Sequence, residues 1–344
     1  MNAPLRYEPG PAAAVDLGDN TNLWGAPPAA RAALAAAATA AISRYPSPYG
    51  DRLKAAAANY LGVGPDQVVT GCGSDDVLDA AIRSAAESGQ RLAFSAPTFS
   101  MIPAFADINR LEPVAVPFSA DWDIDAERLV AARGAATYLC APNNPTATGI
   151  SRAALEFVVD QATGLVIIDE AYAEYAGVSA IDLLERSERV LVVRTLSKAF
   201  GLAGLRVGYA AGAPELIARV EGARGPYKVS MASEAAAVAA LTEDRDWVMA
   251  RVAETLALRA RFEAAVAGAP DCTLLPSHAN FVLVVPQPDS PEAIRALAER
   301  LRAREVTGRF FPALPGIGDA LRVTIGPWEM LTPVVEAMTG EAAP

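Results

Sequence analysis

The chain has 344 residues, of which 52% are hydrophobic and 20% charged, so it can bury the core of two packed domains or of one large α/β unit with a smaller appendage. Its formal net charge is −11 and the acidic residues are spread along the sequence. With no basic stripe to replace phosphate counterions, a nucleic-acid partner is not expected.

Met1–Pro28 is rich in Pro, Gly, Ala and Asn and reads as an extended N-terminal arm. Met1–Gly10 lacks a basic segment followed by an apolar one, so no signal peptide is expected. From about residue 65 to 212, short β-branched runs alternate with longer helical stretches. The spacing predicts strands at Gln67–Thr70, Arg91–Phe94, Pro113–Val116, Ala136–Cys140, Leu165–Ile168, Val190–Val193 and Arg206–Ala210. Helices fall between them at Asp75–Glu87, Thr98–Asn109, Asp125–Ala132 and Ser151–Gln161. Continuously apolar runs such as Leu165–Ile168 fit strands covered on both faces, and the order predicts an α/β fold with a mostly parallel central sheet flanked by helices. After Gly212 the pattern changes. Helices are expected at Ala213–Gly222 and over Ser233–Val266, the latter interrupted near Thr242–Asp246. Strand-like pieces at Thr273–Leu275, Phe281–Val285 and Leu321–Ile325, with a helix at Pro291–Arg304, suggest a smaller α+β domain. The expected division is an arm (1–28), a large domain (29–230) and a small C-terminal domain (231–344).

The apolar runs are too short and too broken to span a bilayer, and a soluble cytoplasmic protein is the expectation. Cys72, Cys140 and Cys272 are far apart with no CxxC pair, so neither a disulfide framework nor a zinc site is expected. The single histidine, His278, makes a histidine-based catalytic triad hard to build.

In open α/β sheets, ligands sit beyond the carboxyl ends of the strands. Gly71-Cys72-Gly73-Ser74, Asn143-Asn144, Asp169 and Thr195-Leu196-Ser197-Lys198 all fall at such ends. The glycine run before a helix suits either a phosphate or a plain tight turn, and it lacks the third glycine of a nicotinamide motif. Asp169 closes a buried strand and needs a cationic partner: a protonated pyridine nitrogen, or alternatively Arg206 or a helix start. Lys198 follows another buried strand. It is either a Schiff-base-forming nucleophile of lowered pKa or a solvated loop lysine.

The segment Arg194-Thr195-Leu196-Ser197-Lys198-Ala199-Phe200-Gly201-Leu202-Ala203-Gly204-Leu205-Arg206-Val207-Gly208-Tyr209 closely resembles the lysine segment of the histidinol-phosphate aminotransferases, which are fold-type-I pyridoxal-phosphate enzymes. Pro142-Asn143-Asn144-Pro145-Thr146, Asp169-Glu170-Ala171-Tyr172, Tyr45-Pro46 with Gly50, Gly73-Ser74-Asp75, Pro97-Thr98-Phe99 and Leu321-Arg322-Val323-Thr324-Ile325-Gly326 match in order. The resemblance implies a pyridoxal-phosphate-dependent aminotransferase. Lys198 would hold the cofactor covalently and carry the proton, Asp169 would face the pyridine nitrogen, and Tyr172 and Asn144 would hydrogen-bond the ring oxygen. Phe99 would stack on the ring, and Gly73, Ser74, Thr195, Ser197 and Arg206 would bind the phosphate. Tyr45 resembles a tyrosine that reaches the neighbouring subunit's phosphate, implying a homodimer with shared sites; the alternative is an ordinary loop tyrosine. Arg322, Arg309, Asn22 and the arm residue Tyr7 are the implied substrate contacts. The implied substrates are a small-molecule amino donor and a 2-oxo acid, with histidinol phosphate and 2-oxoglutarate as first choice. An aromatic or specialised-metabolism amino donor is the alternative, and a decarboxylase acting on threonine phosphate is a further one.

The sequence departs from the family pattern at Asn20-Thr21-Asn22-Leu23, at Pro226-Tyr227-Lys228-Val229-Ser230 and at Ala147, where glycine often follows Asn-Pro-Thr. If Lys228 points inward, it would alter which anionic group is accepted.

Overall fold

The computed structural model describes residues 13–39 and 42–341. A short strand β1 (Val15–Asp16) and helices α1 (Pro28–Ala37) and α2 (Asp51–Leu61) lead into the strand–helix alternation. This consists of β2 (Val68–Cys72), α3 (Gly73–Ala85), β3 (Arg91–Ala96), α4 (Met101–Ile108), β4 (Glu112–Pro117), α5 (Ala126–Ala131), β5 (Ala136–Cys140) and α6 (Arg152–Gln161). It continues through β6 (Leu165–Asp169), α7 (Ala173–Ala176), β7 (Val190–Thr195), β8 (Val207–Gly212), α8 (Pro214–Arg224), α9 (Met231–Thr242) and α10 (Arg245–Val266). The C-terminal part contains β9 (Cys272–Leu274), β10 (Phe281–Pro286), α11 (Ala293–Arg302), β11 (Val306–Thr307), β12 (Arg309–Leu314), β13 (Gly318–Thr324) and α12 (Trp328–Thr339).

The central sheet has the order β2-β8-β7-β6-β5-β3-β4. Its strands run in one direction except β8, which is antiparallel to both of its neighbours. Every residue of β5, β6 and β7 is buried. Alternate side chains explain why: Ile167 and Val193 enter a core with Val77, Ile82 and Ile102 on one face. Ile168 and Val192 enter another with Leu129, Leu155 and Val158 on the opposite face. Each such side chain stabilises the fold by roughly 1.5–3 kcal/mol, so a slip of register in either direction would be costly. Several functional segments therefore emerge along one edge, at the carboxyl ends of β2, β3, β5, β6 and β7 and the amino end of β8.

The smaller sheet, β12-β13-β10-β9, is antiparallel throughout. Helices α10, α11 and α12 pack on it around Phe262, Val282, Leu297 and Leu331. Among the described residues no helix is long and apolar enough to cross a membrane.

Two segments sit differently from the sequence-based division. Helix α9 follows the expected boundary at 230/231, yet it packs along α1 and α2. There Ala236, Ala237 and Ala240 share a core with Leu53 and Ala57. The change of pattern after Gly212 marks the end of the strand–helix alternation rather than the end of the large unit. The arm is also not a free extension: β1 pairs in parallel with β11, and Leu17 lies in the core of the small sheet. Helices α1, α2 and α12 and strand β12, not predicted from the sequence, complete the fold.

Helix α1 begins after Pro27, which provides no side-chain cap. Its first amides are instead capped across the structure by Asp244, which accepts from Ala29 N at 3.1 Å and Ala30 N at 2.9 Å. Asp244→Ala should therefore cost about 1–2 kcal/mol, the usual worth of a helix cap. Urea unfolding should show a lower midpoint at unchanged slope; an unchanged midpoint would mean that the cap contributes nothing.

Candidate active site

Asp169 ends β6 and is only 3% exposed. Its Oδ2 accepts a hydrogen bond from the Tyr138 hydroxyl at 2.7 Å and its Oδ1 accepts from Ala171 N at 3.1 Å. Among the described residues no cationic side chain forms an ion pair with it. Burial pushes its carboxyl up to about 6, with Tyr138 and Ala171 pulling it partly back and Asp75 and Glu170 adding to the rise. A carboxylate at this depth needs a cation, and the described residues do not provide one in an ion pair.

Lys198 lies in the loop after β7. Its Nζ donates to the Asp19 carbonyl at 2.9 Å and lies 5.8 Å from the centre of the Tyr172 ring. The residue keeps some exposure to solvent, but protein surrounds the amine. Desolvation lowers its pKa to about 8, helped by the positive field of Arg322, which makes the neutral, nucleophilic amine far more accessible than in an ordinary lysine.

Tyr172 follows Asp169 by one short turn and packs edge-on against Phe281, with centroids 5.1 Å apart. Burial raises its pKa above the usual phenol range, so the hydroxyl stays protonated. Asn144, after β5, accepts from Nη1 of the buried Arg322, which leaves its amide nitrogen as the donor end. Nη2 of Arg322 donates to the Gly18 carbonyl, and the guanidinium lies between the Phe281 and Phe311 rings, 5.4 and 5.5 Å from their centres.

A second group of residues meets at the start of α3. Thr195 Oγ1 and Ser197 Oγ are 3.0 Å apart, and Arg206 Nη1 lies 3.5 Å from Ser197 Oγ. Helix α3 begins at Gly73, two residues earlier than the sequence predicts. Gly73 has φ +79°, and a Cβ there would fall 2.5 Å from Arg206 Nη2. Its N–H is directed at the Arg206 carbonyl at 3.0 Å. Gly73 therefore contributes by letting the guanidinium approach, whereas its amide is already engaged. The Ser74 amide and hydroxyl, the two loop hydroxyls and Arg206 make a cradle of donors at a helix N-terminus, the arrangement that suits a phosphate. Asp75 also lies here, 3.3 Å from Arg206 Nη2.

The remaining expected residues are more dispersed. Phe99 sits half-buried in the turn between β3 and α4, packed against the core of that face. Asn22 is engaged with backbone at both ends of its amide, donating to Ala199 O at 2.9 Å and accepting from Trp24 N at 3.0 Å. It thus braces the Lys198 loop. Arg309 pairs with Arg322 across neighbouring strands. Tyr45 is 82% exposed and stacks on Tyr227 at 4.8 Å. Lys228 pairs with Asp76 on α3 at 3.1 Å rather than reaching toward Arg322. Ala147 is fully buried at φ +65°, which accounts for the glycine common at that position. Tyr7 lies outside the described residues.

Three features were not legible in the sequence. Tyr138, in mid-strand, holds Asp169. The segment Gly18-Asp19-Asn20 meets Arg322, Lys198 and Tyr172 in turn. Arg194 pairs with Glu170 at 2.7 Å and Glu174 at 2.8 Å in the interior. That ion cluster braces the turn after Asp169 against the strand that leads to Lys198. Of these, only Arg194, Glu170 and Glu174 carried a signal, as charges next to buried strands.

A buried carboxylate awaiting a cation, a desolvated lysine and a phosphate cradle on one edge of this sheet define a fold-type-I pyridoxal-phosphate enzyme, and the residues present fit that cofactor. The family model described as aminotransferase class I and II matches residues 13–338. A histidinol-phosphate aminotransferase of Roseiflexus castenholzii is 39% identical over 91% of this chain and 85% of its own length. Another, of Trichormus variabilis, is 31% identical over 94% of this chain and 91% of its own. The crystal structure of histidinol-phosphate aminotransferase from Sinorhizobium meliloti, in complex with pyridoxal-5'-phosphate, superposes with a TM-score of 0.86 at 27% identity, covering 96% of this chain and 91% of that one. The chain belongs to the class I and II aminotransferases, and its cofactor is pyridoxal phosphate.

The raised pKa of Asp169 has a sign that can be tested on the cofactor-free protein. A carboxyl whose folded pKa exceeds its unfolded value is tolerated best when protonated. Stability should therefore fall as pH rises from about 4 through about 6, by of order 2–3 kcal/mol. Asp169→Asn, which has no charge to bury, should be more stable than the wild type at pH 8 when both lack cofactor, and the gap should close toward pH 4. Melting curves showing a constant gap at all pH values would contradict the burial of an unpaired charge.

Proposed function

We propose that the enzyme transfers an amino group from histidinol phosphate to 2-oxoglutarate, with the roles implied by the sequence carried by the cluster described above. The observation that carries this reading is the placement of a buried Asp169 with no ion-pair partner among the described residues and a desolvated Lys198 at the same edge of adjacent strands. The names of the Roseiflexus and Trichormus relatives support the substrate.

When bound, pyridoxal phosphate supplies a ring that accepts electrons from the substrate's α-carbon. Asp169 holds a proton on the ring nitrogen by electrostatic pairing. Tyr172 and the amide nitrogen of Asn144 donate hydrogen bonds to the ring oxygen. Ser74, Thr195, Ser197 and Arg206 fix the phosphate, so the reacting centre is anchored at both ends. Lys198 would hold the cofactor and would carry a proton to and from the substrate's α-carbon. Arg322, packed between two aromatic rings, binds the anionic end of the substrate, with Arg309 on the neighbouring strand contributing positive field. The exposed Tyr45–Tyr227 pair supports a homodimer in which Tyr45 serves the neighbouring phosphate site.

Lys198→Ala is expected to abolish turnover while still retaining cofactor weakly through the phosphate cradle, as read by dialysis and absorbance. Normal turnover in that variant would remove Lys198 from the chemistry. For the substrate, single-turnover mixing should convert the bound cofactor to pyridoxamine phosphate with glutamate and with histidinol phosphate, without release of carbon dioxide. Conversion by aromatic donors alone would redirect the substrate assignment, and carbon dioxide release would replace transfer with decarboxylation.

A further inference from the structure

Asn20 is completely buried, at φ +55°, although it lies only a few residues past β1, the strand that pairs with β11. Its Nδ2 donates to the Tyr172 hydroxyl at 3.1 Å. The rest of the residue is held by the small unit. Its N–H donates to Thr324 Oγ1 at 3.0 Å, its carbonyl accepts from Asn280 Nδ2 at 3.1 Å, and its Oδ1 lies 3.2 Å from Thr324 Oγ1. The Thr324 hydroxyl points its proton mainly at the Leu17 carbonyl, 2.7 Å away.

A phenol has one proton and two lone pairs. With Asn20 filling a lone pair, the proton of Tyr172 is left to donate, and among the described residues no protein atom accepts it. The charged and titratable groups around the phenol are Arg322 from β13, Asp169 from β6, Cys140 from β5, Lys198 from the loop after β7 and Tyr175 from α7. Among the described residues none of these hydrogen-bonds the hydroxyl, and Asn20 is the residue that does.

We infer that Asn20 is a positioning residue, which fixes the Tyr172 hydroxyl as a donor toward the cofactor's ring oxygen and links that donor to β13 through Thr324. This rests on the placement of Tyr172 at the ring oxygen proposed above. Substrate-driven shifts of Arg322, two residues from Thr324 on the same strand, would reach the phenol by this route.

The test titrates the absorbance of the bound cofactor against pH. A hydrogen bond to the ring oxygen favours its anionic form, so losing the donor or its alignment should raise the titration midpoint by about one unit. Asn20→Gly removes the side chain without straining a positive φ. It should raise the midpoint, as should Tyr172→Phe, and the double variant should move it no further than Tyr172→Phe alone. Asn20→Asp keeps the shape but can only accept, so it should raise the midpoint too, whereas a role in packing alone would be rescued by it. An unmoved midpoint in Asn20→Gly alongside a moved one in Tyr172→Phe overturns the inference, as do additive shifts or a wild-type midpoint in Asn20→Asp. An unmoved midpoint in Tyr172→Phe overturns the placement of Tyr172 itself, and the inference with it.

Discussion

The site is organised around a buried carboxylate. Asp169 is sealed at the end of an entirely buried strand, with two hydrogen bonds and, among the described residues, no ion pair with a cation. Across the cleft, burial drives Lys198 the other way, toward the neutral amine. The same low dielectric thus disfavours charge on both groups. In the proposed site, a cofactor with a cationic ring nitrogen and an aldehyde would answer both at once, pairing with the carboxylate and occupying the amine.

Holding an unfavourable arrangement requires a stiff surround. Asp169 and Lys198 end or follow adjacent strands of the sheet, and the strand register sets their separation. The buried cluster of Arg194 with Glu170 and Glu174 ties the turn after Asp169 to β7. Burying three charges gains little net stability, and its value lies in the geometry it imposes. Ser179 and the Ala180 amide supply further bonds to Glu170, so the cluster is well satisfied despite its depth.

The small unit reaches the chemistry through the N-terminal segment. Gly18, Asp19 and Asn20 touch Arg322, Lys198 and Tyr172, while β1 pairs with β11 and Val15 and Leu17 pack into the core beside the small sheet. The proposed substrate contact Arg322, the proposed cofactor lysine and the small unit are therefore connected through three consecutive residues. Lys228, which stood out in the sequence as a departure near the pocket, is instead committed to an ion pair with Asp76.

The sequence alone determined the alternation of buried strands and helices, because continuous apolar runs bounded by Gly, Asn and Asp are a local signal that needs no partner to be read. It also determined the cofactor class through its specific lysine segment, and it singled out Lys198, Asp169, Asn144, Tyr172 and Arg206, most of them at strand ends, as the residues proposed for the site. Only the tertiary structure decided that α9 joins the large unit, that the arm belongs with the small sheet, and that the Gly73 amide is engaged while its missing Cβ admits Arg206. It likewise decided that Asn22 braces backbone and that Tyr138 and Asn20 hold the functional side chains. Those facts depend on contacts between residues as far apart as Asn20 and Thr324, and contacts at that separation leave no periodic trace in either partner's neighbourhood.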